Sequence, residues 1–136
     1  MSRSLVRIQH GARVKCVKNE VKSNMKILFI CTANRDRSKT GEVYFSNKYP
    51  EHEFKSAGIN RYLSERHKGI HLKKHMLDWA DRVICAELVH SDYIIRQIDK
   101  KYNSKIEVLH LGDTEGAFMS DNLIRLLEEK LCVLQN

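Results

Sequence analysis

The residues able to do the most chemistry lie between positions 31 and 38, in the order Cys31-Thr32-Ala33-Asn34-Arg35-Asp36-Arg37-Ser38. Five residues separate Cys31 from Arg37, an arc short enough to curl so that its backbone N–H groups converge above the sulfur. Arg37 can then close the ring with a planar guanidinium fork suited to phosphate oxygens. A thiol has a free pKa of about 8.5, and surrounding amides, a helix N-terminus and an arginine each favour its thiolate. Cys31 is placed where all three can act. Such a thiolate can attack a phosphate monoester to form a phosphocysteine, and the departing oxygen then needs a proton from a nearby acid. Asp113 is the candidate acid, with Glu115 and Asp121 as substitutes. As a carboxylate, Asp113 would then activate the water that releases phosphate.

A loop of this kind needs a strand to feed it and a helix to follow it. Ile27-Leu28-Phe29-Ile30 is an unbroken apolar run, which reads as a fully buried strand over 26–31. A helix is expected from Arg37 or Ser38 to Lys48, burying Val43, Tyr44 and Phe45 and stopped by Tyr49-Pro50. Further along, strands are expected over 52–56, 82–86 and 105–111, with Ala57-Gly58 as a turn and 60–71 mostly loop. Helices are expected over 72–79 and 88–101, and a last one capped by Ser120 carries Leu123, Ile124, Leu126, Leu127 and Leu131 on one face. Trp79 and Leu77 read as core. Alternation of this kind predicts an α/β fold: a three-layer sandwich with a central four-stranded parallel sheet and helices on both faces. Sites in such sheets lie beyond the carboxyl ends of the strands, where Cys31, Glu87 and Asp113 all fall.

At 136 residues and 42% apolar, the chain can bury one core without metals or disulfides. Its cysteines, Cys16, Cys31, Cys85 and Cys132, show no zinc-like spacing and no secreted disulfide framework, so a reducing cytoplasm is the expected setting. No apolar run approaches a membrane span, and no secretory hydrophobic region opens the chain. The net charge of +7 is uneven: residues 1–24 hold six Lys/Arg against the single acid Glu20. Residues 1–24 are therefore read as a basic extension outside the fold, with Met25 as an alternative start, and 25–136 as the domain.

The stretch Lys26 to Ser38 resembles the signature of the low-molecular-weight protein tyrosine phosphatases, whose loop reads C-x5-R-S with Asn at the fourth place. The likeness continues through Glu42, Ser56-Ala57-Gly58 and Ala80 to Glu87, and the length suits the compact variety of the family. The resemblance implies that Cys31 is the nucleophile and that Arg37 holds the phosphate and its transition state. It also implies that Thr32, Ala33, Asn34, Arg35, Asp36 and Ser38 complete the phosphate-binding loop. Ser38 would hydrogen-bond the sulfur, Asn34 would brace the loop, Ser56 would support Asn34, and Asp113 would take the acid's place. The chain departs from the pattern at four points. Thr114-Glu115 replaces Pro and an aromatic after the acid, Asp36 replaces a second cysteine, Ala33 replaces Gly, and Lys39 replaces Pro. Asp36 puts a carboxylate beside an anion site, which opposes binding unless it points away or pairs with Arg35.

Other readings stay open from sequence alone. A non-catalytic phosphate- or phosphoprotein-binding module would keep the cradle without a working acid. An arsenate reductase on the same scaffold would need resolving thiols, for which only Cys85 and Cys132 are available. A nucleic-acid binder would rely on residues 1–24. His67, His71 and His75 recur every four residues, but they read as a basic rim rather than a metal set. Cys85 reads as a core residue, Cys132 as an inert thiol near the end of the last helix, and Cys16 as part of the extension. The expected partner is a phosphorylated protein or a small aryl phosphate, with no cofactor, metal, membrane or nucleic acid.

Overall fold

With no polar side chain from Ile27 to Ile30, a strand built there has no face to give to water, and it becomes the interior of the sheet. The computed structural model describes residues 24–131. The expectations for residues 1–23, for Cys16 and for Cys132 fall outside the described residues. Strand β1 (Lys26–Cys31) pairs in parallel with β2 (Glu53–Gly58) on one side and with β3 (Arg82–Cys85) on the other. Strand β4 (Ile106–Val108) pairs in parallel with β3, giving the order β2-β1-β3-β4.

Side chains alternate across a strand, and β1 divides the core accordingly. Ile27, Phe29 and Cys31 share one buried cluster with Phe45, Leu123 and Leu127, which come from α1 (Arg37–Lys48) and α5 (Asp121–Lys130). Leu28 and Ile30 share the other with Met76 and Leu77 of α3 (Lys74–Trp79), and with Ile94 and Tyr102. The expected three-layer sandwich is therefore present. Burying each large apolar side chain of β1 is worth about 1.5–3 kcal/mol. Among the described residues no helix is long and apolar enough to cross a membrane.

Several local expectations are corrected. The stretch 60–71 holds a helix, α2 (Arg61–Arg66), capped by Asn60, whose Oδ1 accepts from the Leu63 N–H at 2.9 Å. It buries only Ser64, so no apolar stripe announces it. Ala57-Gly58 is the end of β2 rather than a turn, and pairing with Ile30 and Cys31 carries the strand through it. The long helix expected over 88–101 breaks into α4 (Leu88–Tyr93), a π-helical turn (Ile94–Ile98) and a 3-10 segment (Lys100–Lys105). The π turn closes on an N–H of Asp99 to the Ile94 carbonyl, which keeps Ile94 fully buried. Trp79 is only partly buried at the border of its cluster.

Helix α1 buries Arg37, Ser38, Gly41 and Phe45, so its inner stripe follows the four-residue spacing 37, 41, 45. Val43 and Tyr44 sit at the flank, partly buried, contrary to expectation. Tyr44 donates to Glu128 of α5, and Lys48 Nζ donates to the same carboxylate at 2.6 Å. Those bonds, that of Lys48 foremost, hold the Glu128 carboxyl below its ordinary range.

At Gly41 the helix lies directly against the Phe29 ring, and a Cβ there would sit 2.8 Å from Phe29 Cδ1. The ring cannot give way, because it stacks on Phe45 at 5.8 Å and on Phe54 at 6.2 Å between centroids. Gly41→Ala is therefore expected to lower stability by about 1–3 kcal/mol in urea titration, in spite of alanine's better helix propensity.

Candidate active site

Because every strand runs the same way, their carboxyl ends meet at one edge of the sheet, at the β1/β3 switch point. Beyond β1 the chain turns through Thr32 to Asp36 and enters α1 at Arg37. The first amides of a helix have no intrahelical acceptor, so those of α1 open into this turn. The turn closes on Asn34, whose φ of 53° places it in the left-handed region, which asparagine tolerates better than most residues. Ala33 has no such φ, so the missing glycine costs no backbone strain.

Asn34 is held on every side. Its Nδ2 donates to Ser38 Oγ and to Ser56 Oγ, both at 2.8 Å, and its Oδ1 accepts the Ile70 N–H at 2.7 Å. Ser56 in turn donates to Glu42. A serine hydroxyl has one proton and two lone pairs. With a lone pair taken by Asn34, the Ser38 hydroxyl is held against Cys31 Sγ, 3.0 Å away, in a hydrogen bond between the two side chains. One continuous chain thus runs from the Glu42 carboxylate through Ser56, Asn34 and Ser38 to the sulfur. Gly58 lets the neighbouring strand come this close: a Cβ there would lie 2.7 Å from the Thr32 carbonyl oxygen and 2.8 Å from the Asn34 nitrogen.

A second set of bonds holds the ends of the turn. Arg37, 5% exposed, donates from Nη1 to the Leu111 carbonyl at 2.8 Å and pairs with Glu87, the cap of α4 just beyond β3. The Glu87 N–H donates to His90 Nδ1 at 2.9 Å. The proton of that neutral imidazole therefore sits on Nε2, which donates to Thr32 Oγ1 at 3.0 Å. Glu87 and His90 thus steady both Arg37 and Thr32 from α4.

The candidate residues fall into place unevenly. Cys31, Asn34, Arg37, Ser38 and Ser56 converge through the bonds just described, and Cys31 is 2% exposed. Arg35 is exposed beside them. Asp36 points away from the turn, its Oδ1 accepting the Phe118 N–H at 2.9 Å, and so does not pair with Arg35. Asp113 opens the 3-10 turn Asp113–Glu115, and its side chain lies outside the described residues. Glu42, His90 and the Ile70 amide were not recognised as partners from sequence. Only Glu87, by its place at a strand end, carried a signal. His67, His71 and His75 do not share a helix: His67 caps α2, His71 bridges to Gly58, and His75 lies in α3.

No protein-family model matches the chain. It is 29% identical over 102 aligned positions to the protein-arginine-phosphatase of Geobacillus stearothermophilus, covering 59% of this chain and 69% of that protein. Its structure is similar to the tyrosine phosphatase Wzb from Escherichia coli K30, with a TM-score of 0.59 and 22% identity over 77% of this chain and 91% of the other. It is also similar to the low molecular weight protein tyrosine phosphatase of T. tengcongensis, with a TM-score of 0.55 and 22% identity over 79% and 99% of the two chains.

The two described thiols differ in their surroundings. Burial on β3 pushes the Cys85 thiol up to about 12, so it stays protonated near neutral pH. Since the thiolate is the reactive form, iodoacetamide at pH 7 is expected to leave Cys85 unmodified in the folded protein, as read by peptide mass spectrometry. Unfolding in urea should expose it to labelling.

Proposed function

We propose that the chain is a hydrolase of the low-molecular-weight protein tyrosine phosphatase family and that it cleaves phosphomonoesters through a phosphocysteine on Cys31, with phosphotyrosine or another aryl phosphate as substrate. The observation that carries this reading is the hydrogen-bond chain ending at Sγ, in which Asn34 holds the Ser38 hydroxyl 3.0 Å from the sulfur. A hydroxyl so held can hydrogen-bond the sulfur as it leaves phosphorus in the second step.

In the first step Sγ attacks phosphorus, the S–P bond forms and the P–O bond to the aryl group breaks. The departing oxygen takes its proton from the Asp113 carboxyl. In the second step water attacks phosphorus, gives a proton to the Asp113 carboxylate, and the S–P bond breaks to return the thiolate and inorganic phosphate. Arg37 and the amides of the turn stabilise the charge on the equatorial oxygens, with Glu87 and Leu111 setting the guanidinium's orientation.

Two features favour an aryl ester on a protein. Arg35, an exposed cation in the turn, repels a guanidinium leaving group more than a neutral phenol. The exposed large apolar residues among the described ones are Tyr62, Ile70, Leu88, Val89 and Phe118. Each lies within two residues of a group bonded to the turn or to Arg37: the Ile70 and Phe118 amides, the Asn60 amide and Glu87. A polypeptide flanking the phosphorylated residue can cover such a rim. A cytoplasmic setting suits a nucleophile that must stay reduced.

Hydrolysis of p-nitrophenyl phosphate is the direct test. Cys31→Ser is expected to reduce it about a thousandfold or more, and Asp113→Asn to let a phosphorylated Cys31 accumulate for detection by mass spectrometry. Turnover that persists in Cys31→Ser overturns the assignment. A phosphotyrosine peptide should be turned over faster than the matching phosphoarginine peptide, and the reverse order would reassign the substrate.

A further inference from the structure

The segment after β4 lacks the proline that follows the acid in the family pattern, yet it has to present Asp113 at a defined place. It runs from Gly112 through the 3-10 turn Asp113–Glu115 and Gly116 to Ser120, the cap of α5. Bonds within the segment and to α5 shape it: Ser120 N–H to the Ala117 carbonyl at 3.0 Å, and Asn122 Nδ2 to the Glu115 carbonyl at 2.6 Å. They do not determine where the segment lies relative to the phosphate loop. The Arg37 bond to the Leu111 carbonyl anchors its start, and two other bonds anchor its far end. Asp36 Oδ1 accepts the Phe118 N–H and Thr40 Oγ1 accepts the Met119 N–H, both at 2.9 Å.

We propose that Asp36 and Thr40 are positioning residues which tie the acid-bearing segment to the phosphate loop and so set the place of Asp113. The inference rests on the reading of Asp113 as the acid. Asp36 ends the loop and Thr40 lies one helical turn further on, so the two acceptors present themselves side by side to consecutive amides. Met119 has a φ of 60°, a conformation costly for a residue with a side chain, and its amide is one of the two held. A carboxylate accepting an amide makes a stronger bond than a neutral acceptor would. The same bond turns the Asp36 carboxylate away from the anion cradle and toward the Phe118 amide.

A residue that acts through the acid affects poor leaving groups more than good ones, since a poor leaving group depends more on proton donation. The readout is the ratio of kcat/KM for p-nitrophenyl phosphate to that for phenyl phosphate. Asp36→Ala is expected to raise this ratio about tenfold or more, on the scale of a misplaced catalytic group. Asp36→Asn, which keeps an acceptor oxygen, should restore most of it, and Thr40→Val should raise it where Thr40→Ser does not. On an Asp113→Asn background, Asp36→Ala should leave the ratio unchanged. If Asp113→Asn raises the ratio and Asp36→Ala does not, the tether is overturned and the acid assignment stands. If Asp113→Asn itself leaves the ratio unchanged, the acid assignment falls and the tether with it.

Discussion

The side-chain amide of Asn34 is the group on which the site's geometry depends. Its two N–H protons and its carbonyl are all engaged, on three different parts of the chain: the start of α1, the interior of β2 and the segment beyond α2. A left-handed residue in a tight turn would cost free energy on its own, and it persists where surrounding bonds over-determine it. Here those bonds also orient Ser38 toward the sulfur. The conformation of the turn and the polarity of its nucleophile candidate therefore have one cause.

That amide can work only because the sheet brings distant segments to it. Ser56 reaches Asn34 because β2 pairs with β1 in a register that places Phe29 opposite Ser56 and Cys31 opposite Gly58. A shift of one residue would turn Ser56 to the other face and set a side chain where Gly58 now admits the turn. The apolar run of β1 thus does more than fill the core. By burying both of its faces it fixes the register on which the polar network relies.

What could be read from the sequence was local, and what could not was long-range. The run Ile27 to Ile30, the Cys-to-Arg spacing and the Tyr49-Pro50 stop are signals within a dozen residues, and each corresponds to an observed element. Helix α2 is not legible from its pattern because it is six residues long and buries only the polar Ser64, although Asn60 three places before Leu63 is a cap signal. The break of the 88–101 helix escaped notice because Ile94, Ile95 and Ile98 are equally compatible with a regular helix until Ile94 must meet the sheet. Glu87 with Arg37, His90 with Thr32 and Asp36 with Phe118 join residues 50 to 82 positions apart. Such pairings follow only once the topology is known.

Two of the four departures from the family pattern, Asp36 and Thr114-Glu115, fall on one part of the site. The bonds that reach the sulfur run through Asn34 and Ser38, both at positions the pattern expects, with Ser56 and Glu42 behind them. Asp36, Thr114 and Glu115 lie instead where the phosphate loop meets the segment after β4. The loop carries two charges there, with Arg35 exposed and the Asp36 carboxylate turned to an amide. The chemistry of a sulfur nucleophile depends on the first group, and the shape and charge met by a leaving group depend on the second. Because, among the described residues, no side-chain hydrogen bond of Asp36 runs to the Asn34–Ser38 chain, this end of the turn can differ from the pattern while the bonds to the sulfur stay in place.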